Sequence, residues 1–217
     1  MTPAPAKRKS QSSPQSRDAE ATRARILDAA EEEFARNGLG AARTEAIAAQ
    51  TGVTKAMIYY YFESKERLYE AVLERAFNDR IRAIQSISAE NLGPTQALTR
   101  FIEEFISGAA GNPNWPAILM FEAMQNKGKY YSKIGITSVY GMLSAILTRG
   151  MEGGEFRKLD PLHASVNIVG MCSFYFCAHE NLKHLWPGRR MLGQAMIDEH
   201  KREAIALIMA GVRPLAH

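Results

Sequence analysis

Apolar residues along this chain recur mostly at helical spacing. Ile26, Leu27, Ala30 and Phe34 form a stripe that stops at Asn37-Gly38. Two short helices are predicted over 44–52 and 54–60. Ser64 then caps a long helix that carries Leu68, Val72, Phe77, Ile81 and Ile84. Gly93-Pro94 opens the next, with Leu98, Phe101, Ile102, Phe105 and Ile106 along it. Asn112-Pro113 marks another start, complicated by Trp115-Pro116. A further helix is predicted over 131–152, closed by Gly153-Gly154. Asp160-Pro161 pairs an N-cap with a proline at the first helical position. The helix it opens is apolar almost all round between 166 and 178, the pattern of a segment buried on several sides. A last helix fills about 192–209. Neither an alternating strand nor an internal repeat stands out.

Residues 43–62 have the spacing of a helix-turn-helix. Two short helices that cross steeply need small or apolar residues at fixed places. Counting Thr44 as the first position, the fifth is Ala48, small enough for close approach. The ninth is Gly52, free to take the left-handed turn. The fourth, tenth and fifteenth are Ile47, Val53 and Ile58, a shared core. With Val53, Ile58 and Tyr61 inward, the second helix turns Lys55, Ala56, Tyr59 and Tyr60 outward, with Met57 between them. Such a face fits the major groove. Lys55 can reach a phosphate or a guanine edge, and Ala56 and Met57 suit a thymine methyl. Tyrosine hydroxyls suit phosphate oxygens. Thr44 and Lys65 lie at helix N-termini, which favour anions. The DNA-binding set read from this unit is Arg43, Thr44, Thr54, Lys55, Ala56, Met57, Tyr59, Tyr60 and Lys65.

The architecture predicted is all-α, about nine helices. A disordered basic arm over 1–17 precedes a three-helix helix-turn-helix domain over 18–64. A connecting helix over 65–90 leads to a larger helical domain for ligand binding and dimerisation over 91–217.

Charge adds little support. The chain has 27 basic and 23 acidic residues and a sequence pI near 9.1. Its excess of four positive charges equals the content of the arm: Lys7, Arg8, Lys9 and Arg17, with no acid. Residues 18–80 hold nine basic and twelve acidic groups, so the DNA-binding segment is itself net acidic. Local placement carries the case. The arm's cations are expected to lie along the DNA backbone or minor groove. The acids Glu31, Glu32 and Glu33 are expected away from the DNA face.

Three segments resemble the TetR family of bacterial regulators: Thr22-Arg23-Ala24-Arg25-Ile26-Leu27-Asp28-Ala29-Ala30, then Thr44-Glu45-Ala46-Ile47-Ala48, then Met57-Ile58-Tyr59-Tyr60-Tyr61-Phe62-Glu63-Ser64-Lys65-Glu66-Arg67-Leu68. The resemblance covers about residues 20–80. It implies that Thr44, Tyr59 and Lys65 clamp phosphates and that residues near 55–60 select the operator. It also implies a homodimeric repressor of a double-stranded DNA operator, released by a small-molecule effector. Ala56 stands where the family often has glycine. Residues 114–131 and 160–176 loosely resemble pyrimidine-responsive members.

A dimer also follows from size, since one short recognition helix gives too small a footprint for tight specific binding. The helix over 161–178 and the last helix are the candidate interface. Large soft side chains of the C-terminal half are candidate ligand contacts: Phe105, Trp115, Phe121, Met124, Tyr140, Met171, Phe174 and Tyr175, with Asn167 among them. Glu122, Gln125 and His179 are further polar groups that could orient a ligand. Cys172 and Cys177 are five apart, roughly 140° around a helix, and read as buried thiols. His179-Glu180 followed by His184 misses the zinc-protease spacing by one residue. No catalytic set is evident, so neither an enzyme nor a cofactor is expected. No apolar run reaches the ~20 residues of a membrane span, and a cytoplasmic location is the default. The competing expectation is a constitutive DNA binder without an effector.

Overall fold

The computed structural model describes residues 14–214 apart from Glu90. Among the described residues there are nine α-helices, two short 3-10 turns and no strand. The helices are α1 (Pro14–Ala41), α2 (Thr44–Thr51), α3 (Lys55–Phe62), α4 (Lys65–Ala89), α5 (Pro94–Gly111), α6 (Asn114–Gln125), α7 (Ile136–Glu152), α8 (Pro161–Leu182) and α9 (Gln194–Val212).

Local chemistry accounts for the helix starts. The Thr54 side chain accepts from Met57 N, Ser64 Oγ from Arg67 N, and Asp160 from His163 N. Pro116 falls at the third position of α6, where a backbone N–H has no intrahelical partner, so it does not delay that helix. Boundaries differ from expectation at several places. α1 begins at Pro14, so residues 14–17 of the predicted arm are helical. Lys7, Arg8 and Lys9 lie outside the described residues. α7 begins at Ile136 rather than 131. Gly135 takes a left-handed φ of 61°, and residues 131–133 form a separate 3-10 turn.

Two hydrophobic cores organise the chain. The first gathers Ile26 and Phe34 of α1, Ile47, Ile58 and Phe62, and Leu68, Val72 and Leu73 of α4. Burying each such side chain contributes roughly 1.5–3 kcal/mol, which commits the first half of α4 to this unit. The second core joins α5, α7, α8 and α9 through residues such as Phe101, Leu143, Phe176 and Ile208, and takes Ile84 and Ile87 from the far end of α4. The division is not clean, because Ile118 of α6 and Tyr130 and Ile134 beyond it belong to the first core. α6 therefore lies directly on α1.

That contact is close. Gly38, at φ 67°, faces α6 so tightly that a Cβ there would clash with Gln125 Oε1 and meet the Phe121 ring at 3.1 Å. Below it, the buried Glu122 carboxylate accepts from Tyr69 Oη, Asn126 Nδ2 and the backbone N–H of Tyr130. Arg75 of α4 adds a second tie, pairing with Asp28 and Glu31 of α1. Glu31 also accepts from Asn112 Nδ2.

α8 is less enclosed than its composition predicts. Leu162, Val166, Met171 and Phe174 are exposed, Phe174 by 59%. On α9, Leu207 is 63% exposed. Cys172 is buried, and desolvation pushes its thiol up to about 12. Cys177 is half-buried, its thiol also raised by desolvation, and both are free. Among the described residues no helix is long and apolar enough to cross a membrane.

Candidate DNA-binding site

α2 and α3 are eight residues each and are held at a fixed turn. Gly52 closes α2 at φ 72°, ψ 11°, its N–H bonded to Ala48 O. Thr54 adopts extended backbone and caps α3. Ile47, Ile58 and Phe62 are buried, with Ala48, Val53 and Tyr61 packed half-buried around them.

This leaves one side of α3 free. Lys55, Ala56, Met57, Tyr59 and Tyr60 are all exposed, and Tyr60 reaches 83%. The start of α2 lies beside them. The Thr44 and Tyr59 hydroxyls are 3.5 Å apart, and Lys55 Nζ sits 5.8 Å above the Tyr59 ring. Arg43 is exposed just ahead of α2. Lys65 Nζ donates to Gly40 O and Ala42 O, which brings it to the same end of the unit. The predicted DNA-binding residues thus gather around the start of α2 and the outer side of α3.

Three details were not visible in sequence. Thr44 is only 4% exposed, so its hydroxyl meets Tyr59 from below rather than standing at the surface. Thr54 spends its oxygen on the α3 cap, which makes it a positioning residue for the helix. Lys65 has two of its donors on carbonyls and anchors the chain after α1.

Glu45 also lies here and is ion-paired with Lys55. The pair holds the Glu45 carboxyl below its usual range and pushes the Lys55 ammonium up. Two acids of α1 that were expected away from this face also bond at or near α2. Glu33 accepts from the backbone N–H of Arg43, buried beneath the start of α2. Glu32 binds Arg36 and Gln50.

Two cavities lie farther along the molecule. One, of about 790 Å³, opens between α1, α4, α5 and α6 beside Arg75. The other, of about 530 Å³, lies among α5, α6, α7 and α8. Both are lined by Phe105, Trp115 and Val139. Of the predicted ligand contacts, Phe105, Trp115 and Tyr140 line a cavity. The structure places the other six elsewhere. Phe121 turns toward Gly38 on α1. Met124 is 74% exposed, and Asn167, Met171 and Phe174 also face outward. Tyr175 is buried in the second core, donating to Met191 O and stacked on His200. Sequence reasoning missed Lys127, Val169 and Ser173 as lining residues. Glu122 anchors the α6 end rather than facing a cavity.

This geometry has relatives. Residues 26–72 match the family described as bacterial regulatory proteins, tetR family, and residues 94–208 match the tetracyclin repressor-like C-terminal domain. The HTH-type transcriptional repressor NicS of Pseudomonas putida is 30% identical over 163 residues, 72% of this chain and 76% of that protein. The fatty acid metabolism regulator protein of Bacillus subtilis is 29% identical, over 67% of this chain and 76% of that one. The HTH-type transcriptional regulator RutR of Escherichia coli K12 is 23% identical over 92% of this chain and 94% of its own. The crystal structure of Bacillus subtilis FadR in complex with stearoyl-CoA superposes with a TM-score of 0.69 at 23% identity, covering 88% of this chain and 99% of that one. With both its helix-turn-helix segment and its C-terminal half matched, the chain belongs to the TetR family and is a DNA-binding transcriptional regulator.

Proposed function

We propose that the protein is a homodimeric repressor that leaves its operator when a small molecule fills the C-terminal cavity. The observation that carries this reading is the position of α6. One side of it, at Phe121 and Gln125, presses on α1 at Gly38. Another, at Leu119, Met120 and Ala123, lines the 530 Å³ cavity. A ligand that shifts α6 therefore acts on α1 and on the helix-turn-helix packed against it. Cavities of roughly 300–1,000 Å³ suit small ligands, and this one is within that range. The stearoyl-CoA held by the FadR structure and the repressor name of NicS agree with an effector-responsive repressor.

The exposed apolar residues of α8 and α9 support a dimer through these helices. A two-fold pair presents two recognition helices to half-sites about one DNA turn (~34 Å) apart, so a few ångströms of change in their separation breaks register. On this reading the helix-turn-helix domain spans 18–64, α4 forms the connection over 65–90, and 91–217 binds ligand and dimerises. Lys7, Arg8 and Lys9 add backbone contacts beside each half-site.

The test begins with an operator fragment selected from random DNA. Light scattering should show a dimer, and a metabolite panel should yield a compound that weakens binding. A monomer that binds the operator alone would overturn the dimer. Tight binding that no compound in a broad panel weakens would favour the constitutive alternative.

A further inference from the structure

The 530 Å³ cavity has an asymmetric chemistry. Its wall is mostly apolar and aromatic, built from Phe105, Trp115, Leu119, Tyr131, Val139 and Tyr140. Among the described residues that line it, Lys127 carries the only formal charge. The loop that bears it reads Asn126-Lys127-Gly128-Lys129-Tyr130-Tyr131-Ser132-Lys133, three lysines and no acid. Lys133 is paired with Glu70, and Lys129 lies over the Tyr130 ring. No carboxylate among the described residues pairs with Lys127.

The placement of Lys127 is enforced. Its φ is 54°, in the left-handed region that a lysine rarely adopts, and Gly128 follows at φ 73°. Glu122 holds this turn from beneath. Its backbone carbonyl accepts from Asn126 N and Gly128 N, and its carboxylate accepts from Asn126 Nδ2 and Tyr130 N. A strained residue fixed by a buried anchor, with an unpaired cation on the rim of an apolar cavity, is a feature that packing alone does not call for.

We infer that this cavity binds an organic anion with an aromatic body, its carboxylate or equivalent group meeting Lys127 at the rim. The assignment rests on the effector reading above and names the ligand class for it. An aromatic ring fits against Phe105, Trp115, Tyr131 and Tyr140, where ring pairs prefer offset or edge-on contact. The charge stays at the rim, where Lys127 supplies a charge-assisted bond without a buried ion. The larger cavity does not offer this chemistry. Its acids Asp28 and Glu31 are paired with Arg75, and Glu104 with Arg100.

Capture of an anion at Lys127 also pulls on the turn that Glu122 fixes. Through Glu122 that turn is tied to Tyr69 on α4, so the rim and the first core share one buried group.

The test uses the full chain and three matched probes: 2-naphthylacetate, 2-(2-naphthyl)ethanol and 2-(2-naphthyl)ethylamine. Calorimetry should give the acid at least a tenfold lower Kd than the alcohol, with the amine weakest. Lys127→Met should bring the acid down to the alcohol, Lys127→Arg should keep the preference, and Lys129→Met should leave it unchanged. Lys127→Gly removes the charge while keeping the turn, and should match Lys127→Met. An acid that binds no better than the alcohol, or a preference that survives Lys127→Met and Lys127→Gly, would overturn the assignment. Operator affinity is read separately with the acid bound. Binding through Lys127 without operator release would keep the site and overturn the release mechanism.

Discussion

Lys55 Nζ lies 2.5 Å from Glu45 Oε1, joining the first turn of α3 to the first turn of α2 on the face proposed to meet DNA. On the proposed reading α3 meets a phosphate backbone with its one lysine already paired. Both groups are well exposed, so the pair matters less for stability than for what Lys55 can do on arrival.

Glu45→Gln removes an acid from the DNA face and frees Lys55. Nonspecific DNA binding should tighten, and the salt dependence should steepen by roughly one phosphate contact, a slope change of about 0.9 for duplex DNA. Fluorescence anisotropy across a salt series reads this directly. An unchanged slope would mean that Lys55 does not reach a phosphate even when unpaired.

Glu122→Ala strands three donors: the Tyr69 hydroxyl, the Asn126 amide and the Tyr130 backbone N–H. Leaving buried polar groups unpaired costs about 1–3 kcal/mol each. Two of the three, the Tyr69 hydroxyl and the Tyr130 N–H, are buried, so a loss of about 2–6 kcal/mol in urea unfolding is expected. Tyr69→Phe, which removes a single partner, should cost about 1 kcal/mol.

Gly38→Ala should destabilise by about 1–3 kcal/mol, since φ is left-handed and the new Cβ meets Gln125 and Phe121. Adding Gln125→Ala should recover only the steric part. Full recovery in the double variant would mean that the backbone conformation costs nothing.

His200 stacks on Tyr175 at 4.2 Å, and among the described residues its buried Nε2 has no hydrogen-bond partner. Burial holds its pKa below the ordinary 6.5. As pH falls below 6.5 the unfolded chain takes up the proton before the folded one, so stability drops from there toward the lower folded value. His200→Phe keeps the ring and removes the titration. The melting temperature of the variant should fall less between pH 7.5 and 5.5 than that of the wild type.

The helices and the helix-turn-helix were legible because their signals are local. Gly52, Ser64 and Asp160 act within three or four residues of themselves, and spacing alone reveals such contacts. The break at Gly135 was missed because the apolar pattern runs across it. Pairing between distant helices was not legible. Phe121 and Tyr140 look alike in sequence, yet one turns to α1 and the other to the cavity. A helical stripe says which residues share a side of one helix, not which neighbour covers that side. Phe174 and Leu207 show the same limit, apolar at positions the monomer leaves open. Lys127 gave no periodic signal, as it sits in a turn whose form is set by Glu122. The pairing of Glu45 on α2 with Lys55 on α3 joins residues ten apart, which helical spacing does not reveal.

On the proposed reading the outer side of α3 contacts operator DNA. The most direct test is the affinity of a Lys55→Ala/Tyr60→Ala variant for a selected operator fragment, measured by anisotropy beside the wild type. Both side chains are exposed, so the unfolding midpoint should stay within about 0.5 kcal/mol of wild type, as for surface substitutions. Operator affinity should fall about 10–100-fold, on the basis of 1–3 kcal/mol for the lost contacts. Wild-type affinity in a folded variant would contradict the account.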